Sequence, residues 1–334
     1  MPAQPTIAIT AGDPCGIGPE VLLKTLRALR RPVRARLVVI GDHAVFREAA
    51  ARSRLRLPSW RILSPRQFLD EPESERPLIF LDCRHPQPFT PGRSSRAAGA
   101  ASLAYLDHAI ALWRRRRIQA LVTAPVTKWA IGRVRPTFIG QTEHLARAMR
   151  RRDVVMMFVS DRLRVALLTR HIPLSRVPGS ITPRLLEITV ALVAGALQKS
   201  FRIRRPTLAL CGLNPHAGEE GRCGREERAL MIPALRRLRK RGVVCHGPFP
   251  ADGFFASPRP YDAVVCAYHD QGLIPFKMAA RDRGCQLTIG LPVIRTSPDH
   301  GSGLDIAGKG IANPGSMRYA LNLAVTLSAV GSKQ

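Results

Sequence analysis

The chain has 334 residues, 45% of them hydrophobic, and a formal charge of +28 from 52 Lys and Arg against 24 Asp and Glu. That length and apolar content exclude a disordered chain and call for two lobes or one large α/β unit. The basic residues are nearly all arginine, and the runs at 113–119, 149–153 and 236–242 close helix-like segments without interleaved aromatics, so they read as solvated helix ends, not a nucleic-acid surface. A basic field of this size still attracts an anionic substrate. Cys15, Cys83, Cys211, Cys223, Cys245, Cys266 and Cys285 form no C-x-x-C pair and are odd in number. This argues against a disulfide framework or a zinc ribbon and fits reduced thiols in a cytoplasmic protein. No leader-like pattern and no apolar run of membrane-span length is present, so a soluble chain is expected.

In chain order the patterning predicts a strand at 6–10, a helix at 19–29, a strand at 36–41 and a helix at 43–52. An exposed Pro/Arg-rich excursion is expected over 54–76, a strand at 77–82, a mobile loop near 91–98 and a helix at 97–114. Strands follow at 119–125, 165–169, 207–212, 262–268 and 285–290, with helices at 142–150, 182–199, 225–240 and 316–330. Alternation of this kind implies an α/β fold with a parallel sheet and helices on its faces. The turn GDPCGIG at 12–18 lacks the spacing of a dinucleotide fingerprint and reads as a structural bend before the helix opened by Pro19.

Three strands end alike. VALLT runs into Arg170-His171, TLALCG into Leu213-Asn214-Pro215-His216, and DAVVCAY directly into His269-Asp270. Ligands of open α/β sheets bind beyond the carboxyl ends of strands, so these imidazoles can converge on a metal, with three protein ligands leaving a position open for substrate. Ordinary hydrogen-bonded histidines at strand ends remain the competing reading.

The segment 299–316, DHGSGLDIAGKGIANPGS, resembles the adenine-binding loop of isopropylmalate and isocitrate dehydrogenases from His300 to Pro314. The resemblance implies a cofactor site at His300, Gly301, Asp305 and Asn313, with Asp305 facing the adenosine ribose and Asn313 the adenine. A carboxylate there accepts from a free 2′-hydroxyl and repels a 2′-phosphate, which favours NAD over NADP.

ITAGDPCGIGPE (9–20), LVTAPVTK (121–128), GQTEHLA (140–146), LCGLNPHAGEEGRCGREE (210–227), GPFPADGFF (247–255), YHDQGLIPFK (268–277) and TIGLPVIRTSPDHG (288–301) together resemble the 4-hydroxythreonine-4-phosphate dehydrogenase family of pyridoxal phosphate biosynthesis, in its order and over essentially the whole chain. This implies a two-lobed α/β/α subunit of the isocitrate-dehydrogenase-like class with a cleft between lobes. Residues 1–135 and 285–334 would form the cofactor lobe, and 136–284 the metal, substrate and dimerisation lobe. It further implies a homodimer with its active site at the subunit interface, and a divalent metal (Zn, Mg or Co) on His171, His216 and His269. Substrate contacts would fall on Gln141, Thr142, Lys277, Gln286 and Arg295, while Asp252 and Asp270 are the candidates for catalytic or ligand-orienting carboxylates. Gln141 stands where histidine is common in the family, and Gln286 where asparagine is usual.

The implied reaction is oxidation of 4-phosphohydroxy-L-threonine to 2-amino-3-oxo-4-phosphooxybutanoate, which loses carbon dioxide to give 3-amino-2-oxopropyl phosphate. Related enzymes acting on threonate or erythronate 4-phosphate, or on aromatic dihydrodiols, are the alternatives within the superfamily. A phosphate acyltransferase-like enzyme is the alternative of another class, one that would not require the 300–314 loop beside three histidines at strand ends.

Overall fold

The computed structural model describes residues 4–29, 33–70, 77–257 and 260–331. In chain order these hold β1 (Thr6–Thr10), α1 (Gly18–Arg27), β2 (Arg36–Gly41), α2 (His43–Arg52), β3 (Arg61–Leu63), α3 (Pro65–Asp70), β4 (Leu78–Asp82), α4 (Arg96–Arg114), β5 (Ala120–Thr123), α5 (Lys128–Gly132) and α6 (Gln141–Ala148). There follow β6 (Val155–Ser160), β7 (Arg164–Leu167), α7 (Val177–Ser180), α8 (Pro183–Lys199), β8 (Thr207–Cys211), α9 (Ile232–Lys240), β9 (Val244–Phe249), α10 (Ala251–Ala256), β10 (Ala263–Cys266), α11 (His269–Ala280), β11 (Gly284–Ile289), β12 (Ile294–Pro298) and α12 (Gly315–Gly331).

The chain divides into two compact units, Met1–Arg152 with Leu291–Gln334, and Asp153–Gly290. In the first, the strand order is β3-β4-β2-β1-β5-β12 and every neighbouring pair is parallel. Every residue of β1 is buried, as expected of a central parallel strand covered on both faces. Ser95 caps α4 by accepting from the Ala98 N–H at 3.1 Å. Tyr105 of the same helix, fully buried, donates to Asp42 at 2.5 Å at the end of β2, and so pins the helix to the sheet.

In the second unit the order is β11-β6-β7-β10-β8-β9, antiparallel across β11-β6-β7 and parallel from β7 onward. Its core joins Phe158, Val165, Leu167 and Val264 of the sheet to Phe254 of α10 and Leu273 and Phe276 of α11. Gly272 makes the approach of α11 possible, since a Cβ there would stand 2.6 Å from Val165 Cγ1. Among the described residues no single helix is long and apolar enough to cross a membrane.

The unit boundaries fall later than the sequence expectation of 135/136 and 284/285. α6 joins the first unit because Arg295 of β12 reaches Thr142 on it, and β11 joins the second through its ladder with β6. The excursion expected over 54–76 is corrected in its described part: β3 pairs with β4 and α3 follows, while 71–76 lie outside the described residues. The loop expected near 91–98 already turns helical at Arg96. Within the helix expected at 225–240, a single π turn over Glu227–Met231 precedes α9. The sequence patterning missed β6, β9, β12, α5, α7, α10 and α11, the last because Gly272 and Pro275 break the helical signal that burial of Leu273 and Phe276 restores.

Several helices end on a left-handed residue that is arginine where glycine is usual. Arg54, Arg116 and Arg150 have φ of 52°, 54° and 54°. In each case the next amide closes the turn, from Leu55 to Ala50 O, Arg117 to Leu112 O and Arg151 to Ala146 O, at 2.8–2.9 Å.

The tightest helix contact of the first unit supplies a stability test. A Cβ on Gly99 of α4 would stand 2.2 Å from the Ala130 carbonyl oxygen of α5. Gly99→Val should therefore force α4 and α5 apart and destabilise by about 1–3 kcal/mol. Thermal denaturation should show a midpoint several degrees lower, and an unchanged midpoint would refute the contact.

Candidate active site

β7, β10 and β8 are consecutive parallel strands, so their carboxyl ends lie along one edge. Beyond the regular ladder the Thr169 N–H and hydroxyl both donate to the Ala267 carbonyl, at 3.2 and 2.7 Å, which keeps the chains leading to His171 and His269 together. The two imidazoles lie side by side with ring centroids 5.6 Å apart and planes tilted by 44°. His269 opens α11, and its Nδ1 lies 2.7 Å from Asp270 Oδ1. That bond leaves Nε2 as the outward nitrogen.

His216 begins a run of left-handed backbone, with φ of 52° at His216, 54° at Ala217 and 55° at Glu220. His171 is also left-handed, with φ 35°. Two of the three candidate imidazoles thus sit in backbone conformations that cost energy for residues with a side chain. The structure brings His171 and His269 together, and His216 onto the neighbouring strand end. Among the described residues no group of three or more His, Cys, Asp or Glu stands close enough to hold a metal ion.

Residues that the motifs contained but the reading left unassigned build this edge. Gln271 accepts from the Ala267 N–H and donates to the Gly212 carbonyl, both at 2.7 Å, and so ties β10 to the end of β8. Asn214 donates to Glu226 at 2.8 Å and to Glu227 at 3.0 Å, while its own N–H donates to Glu227 at 2.8 Å. A backbone amide first, and the Asn214 amide second, hold the Glu226 carboxyl below the usual range. Asp252 lies exposed in the first turn of α10. The sequence signal for Gln271, Asn214 and Glu227 was their place inside YHDQG and NPHAGEEGRCGREE; their partners became visible only with the fold.

The substrate candidates divide by unit. In the first, Arg295 on β12 is 3% exposed, and its Nη2 donates to Thr123 Oγ1 at 2.6 Å and Nη1 to Thr142 Oγ1 at 3.4 Å. Thr142 and Gln141 open α6, where Gln141 Nε2 donates to the Ala124 carbonyl at 3.1 Å and its buried Oε1 has no partner. Lys128, a cation the sequence reading did not assign, holds its Nζ 3.9 Å from where a side chain at Gly140 would begin. A buried guanidinium, two hydroxyls and a helix N-terminus are the components of an oxyanion site. In the second unit, Lys277 is exposed on α11, whereas Gln286 is buried in β11 and donates to Thr288 on the same strand face at 2.9 Å.

The 299–314 segment of the first unit is irregular, with left-handed glycines at 303, 308 and 310. Asp305 and Asn313 are exposed, and Asn313 Oδ1 accepts from the Gly315 N–H at 2.8 Å. His300 Nδ1 lies 2.9 Å from the Gly301 carbonyl oxygen, and its Nε2 is buried without a partner. The 12–18 turn backs this loop: the Ile17 N–H donates to the Ser302 carbonyl at 2.9 Å, and a Cβ on Gly16 would meet that oxygen at 2.7 Å. Asp13, fully buried, is held by Ser94 at 2.6 Å and the Cys15 N–H at 2.9 Å. Burial, and then the Asp13 charge, push the Cys15 thiol up to about 12, so it is no nucleophile at neutral pH.

Residues 33–324 match the family model described as pyridoxal phosphate biosynthetic protein PdxA. A 4-hydroxythreonine-4-phosphate dehydrogenase of Aromatoleum aromaticum is 42% identical over 330 residues, covering 98% of each chain. Among solved structures, the 4-hydroxythreonine-4-phosphate dehydrogenase of Klebsiella pneumoniae is 34% identical with a TM-score of 0.84, over 97% of this chain and 98% of that one. A terephthalate 1,2-cis-dihydrodiol dehydrogenase of Burkholderia xenovorans is 30% identical with a TM-score of 0.64, over 96% and 98%. Fold and relatives together define an α/β dehydrogenase, which sets aside the acyltransferase reading. The chain belongs to the PdxA family, the 4-hydroxythreonine-4-phosphate dehydrogenases of pyridoxal phosphate biosynthesis.

Because Gln271 satisfies the Ala267 amide and the Gly212 carbonyl, Gln271→Leu should leave both without this partner at a cost of about 1–3 kcal/mol each. The expected result is a thermal midpoint lower by several degrees, with faster hydrogen exchange at Ala267. An Ala267 amide that exchanges as slowly as in wild type would show that the tie carries no weight.

Proposed function

We propose that this chain oxidises the secondary hydroxyl of 4-phosphohydroxy-L-threonine with NAD, giving 2-amino-3-oxo-4-phosphooxybutanoate and, after loss of carbon dioxide, 3-amino-2-oxopropyl phosphate. The observation that carries the proposal is the buried Arg295 directed at Thr123 and Thr142 at the start of α6. A guanidinium removed from water in this way suits a phosphate better than a neutral diol. Gln141 and Lys128 add a donor and a cation to the same end of α6, and in the second unit Lys277 and Gln286 are proposed as substrate contacts.

His171, His216 and His269 would hold a divalent metal, Zn, Mg or Co. Imidazole is a fitting donor for such an ion, and the strands that lead to these histidines are neighbours in the sheet. Bound there, it would supply Lewis acidity that lowers the pKa of the substrate hydroxyl. Asp270 orients His269 through Nδ1 and is the nearer candidate for taking a proton; exposed Asp252 is the second. Asp305 would receive the adenosine ribose hydroxyls and Asn313 the adenine, with His300 and Gly301 shaping the loop, so that NAD is preferred and NADP is the weaker cofactor. A homodimer with its site at the subunit interface belongs to the same proposal.

The test is NADH formation with purified protein on a panel of 4-phosphohydroxy-threonine, threonate and erythronate 4-phosphates, and an aromatic cis-dihydrodiol, with and without chelator. The phosphohydroxy-amino acid should give the highest kcat/KM. Chelator should abolish turnover, and added Zn, Mg or Co should restore it. Faster turnover of another substrate would reassign the pocket, and full activity after exhaustive chelation would remove the metal.

Arg295→Ala should lower kcat/KM on the phosphorylated substrate roughly ten- to a hundredfold, for loss of a charge-assisted contact of about 1.5–3 kcal/mol. Turnover of the dephosphorylated analogue should change little, and Arg295→Lys should recover part of the loss. Equal losses on both substrates would mean that Arg295 serves the fold alone.

A further inference from the structure

The inner edge of the proposed cofactor loop is held by two residues of α1. Glu20 Oε1 accepts from the Ala312 N–H at 2.8 Å and from Lys24 Nζ at 2.7 Å. Lys24 Nζ also donates to the Gly310 carbonyl at 2.9 Å and the Ala312 carbonyl at 2.7 Å. Both backbone groups of Ala312 are therefore satisfied by side chains of a helix almost three hundred positions away in sequence. Within the loop the backbone bonds are Ile306 to Gly303 and Lys309 to Ile306, both at 3.2 Å, while its start is held from outside through Ser302 by Ile17 and Thr127.

Both ions are withdrawn from water, with 3% of the Glu20 side chain and 20% of the Lys24 side chain exposed. A buried pair of this kind is weak evidence for stability in its own right, because apolar residues of similar volume often serve as well. What the pair does, and apolar side chains cannot, is satisfy an amide and two carbonyls of a glycine-rich segment. The grip is one-sided. Ala307 and Ala312 face inward, at 9% and 1% exposed, while Asp305, Lys309, Ile311 and Asn313 face outward.

We propose that Glu20 and Lys24 are positioning residues for the dinucleotide: by clamping Gly310 and Ala312 they set the height and angle at which Asp305 and Asn313 meet the adenosine. This rests on the assignment of the 299–314 loop to NAD. The clamp lowers the ordering cost of binding and has no part in hydride transfer, so its loss raises the dissociation constant and KM for the cofactor and leaves kcat at saturating cofactor close to wild type.

The test uses the full chain and NADH itself, titrated by fluorescence. Lys24→Met alone would strand a buried carboxylate, so the variant is the pair Glu20→Gln with Lys24→Met, in which the amide oxygen still accepts from Ala312 and the methionine fills the lysine stem. The double variant should bind NADH at least tenfold more weakly and raise KM for NAD to match, with KM for the phosphorylated substrate and kcat within about twofold of wild type. Glu20→Gln alone, which keeps every link to the loop, should restore most of the affinity. In wild-type protein, hydrogen exchange at Ala312 should be as slow as in the body of α1. NADH affinity within twofold of wild type in the double variant, or rapid exchange at Ala312 in wild type, would overturn the proposal. Asp305→Lys separates the two readings. If that change alters NADH affinity and the double variant does not, the positioning role fails alone. If neither alters it, the loop is not the cofactor site and the positioning role falls with it.

Discussion

Neighbouring strands of a parallel ladder must end on the same edge, and in the second unit that constraint decides which side chains can meet. β7, β10 and β8 run side by side, the Ala267 carbonyl receives both donors of Thr169, and Gln271 spans from β10 to Gly212. His171 and His269, far apart in sequence, are thereby brought together. The left-handed backbone at His171 and His216 is the local expense of turning them there, and it persists because bonds on either side over-determine the path.

Where the ladder turns antiparallel, the logic changes. Gln286 sits within β11, not beyond its end, and its amide is partly engaged with Thr288 on the same face. Arg295 is likewise inside a strand, and its burial is compensated by threonine hydroxyls that come from the end of β5 and the start of α6. A charge at 3% exposure in a strand has to be met by polar partners, a demand that the many arginines in water do not make.

Much of this could be read before any coordinates. The strands at 6–10, 36–41 and 207–212 are legible because burial on both faces leaves continuous apolar runs, and the three histidines were picked out by where the runs at 165–169, 207–212 and 262–268 stop. The helix at 269–280 was not legible, since Gly272 and Pro275 suppress the local signal and packing against Val165 supplies the compensation. Lys128 and Gln271 were present in quoted motifs without a role, because a role there is a distance to a partner elsewhere in the chain. The same is true of Glu20 and Lys24: an i, i+4 acid–base pair on a helix is ordinary on the surface, and only its depth and its reach to Gly310 and Ala312 distinguish it.

The arginines that end helices at Arg54, Arg116 and Arg150 bear on where the charge of this chain sits. A side chain in left-handed backbone costs about 1–2 kcal/mol, and a cation beside the carboxyl end of a helix returns about 0.3–1 kcal/mol of it. The cation thus offsets only part of the strain, and the closing hydrogen bond of each turn helps to carry the rest. Part of the +28 charge therefore stands at helix ends, where each cation faces the negative end of a helix dipole while its backbone carries strain that glycine would not.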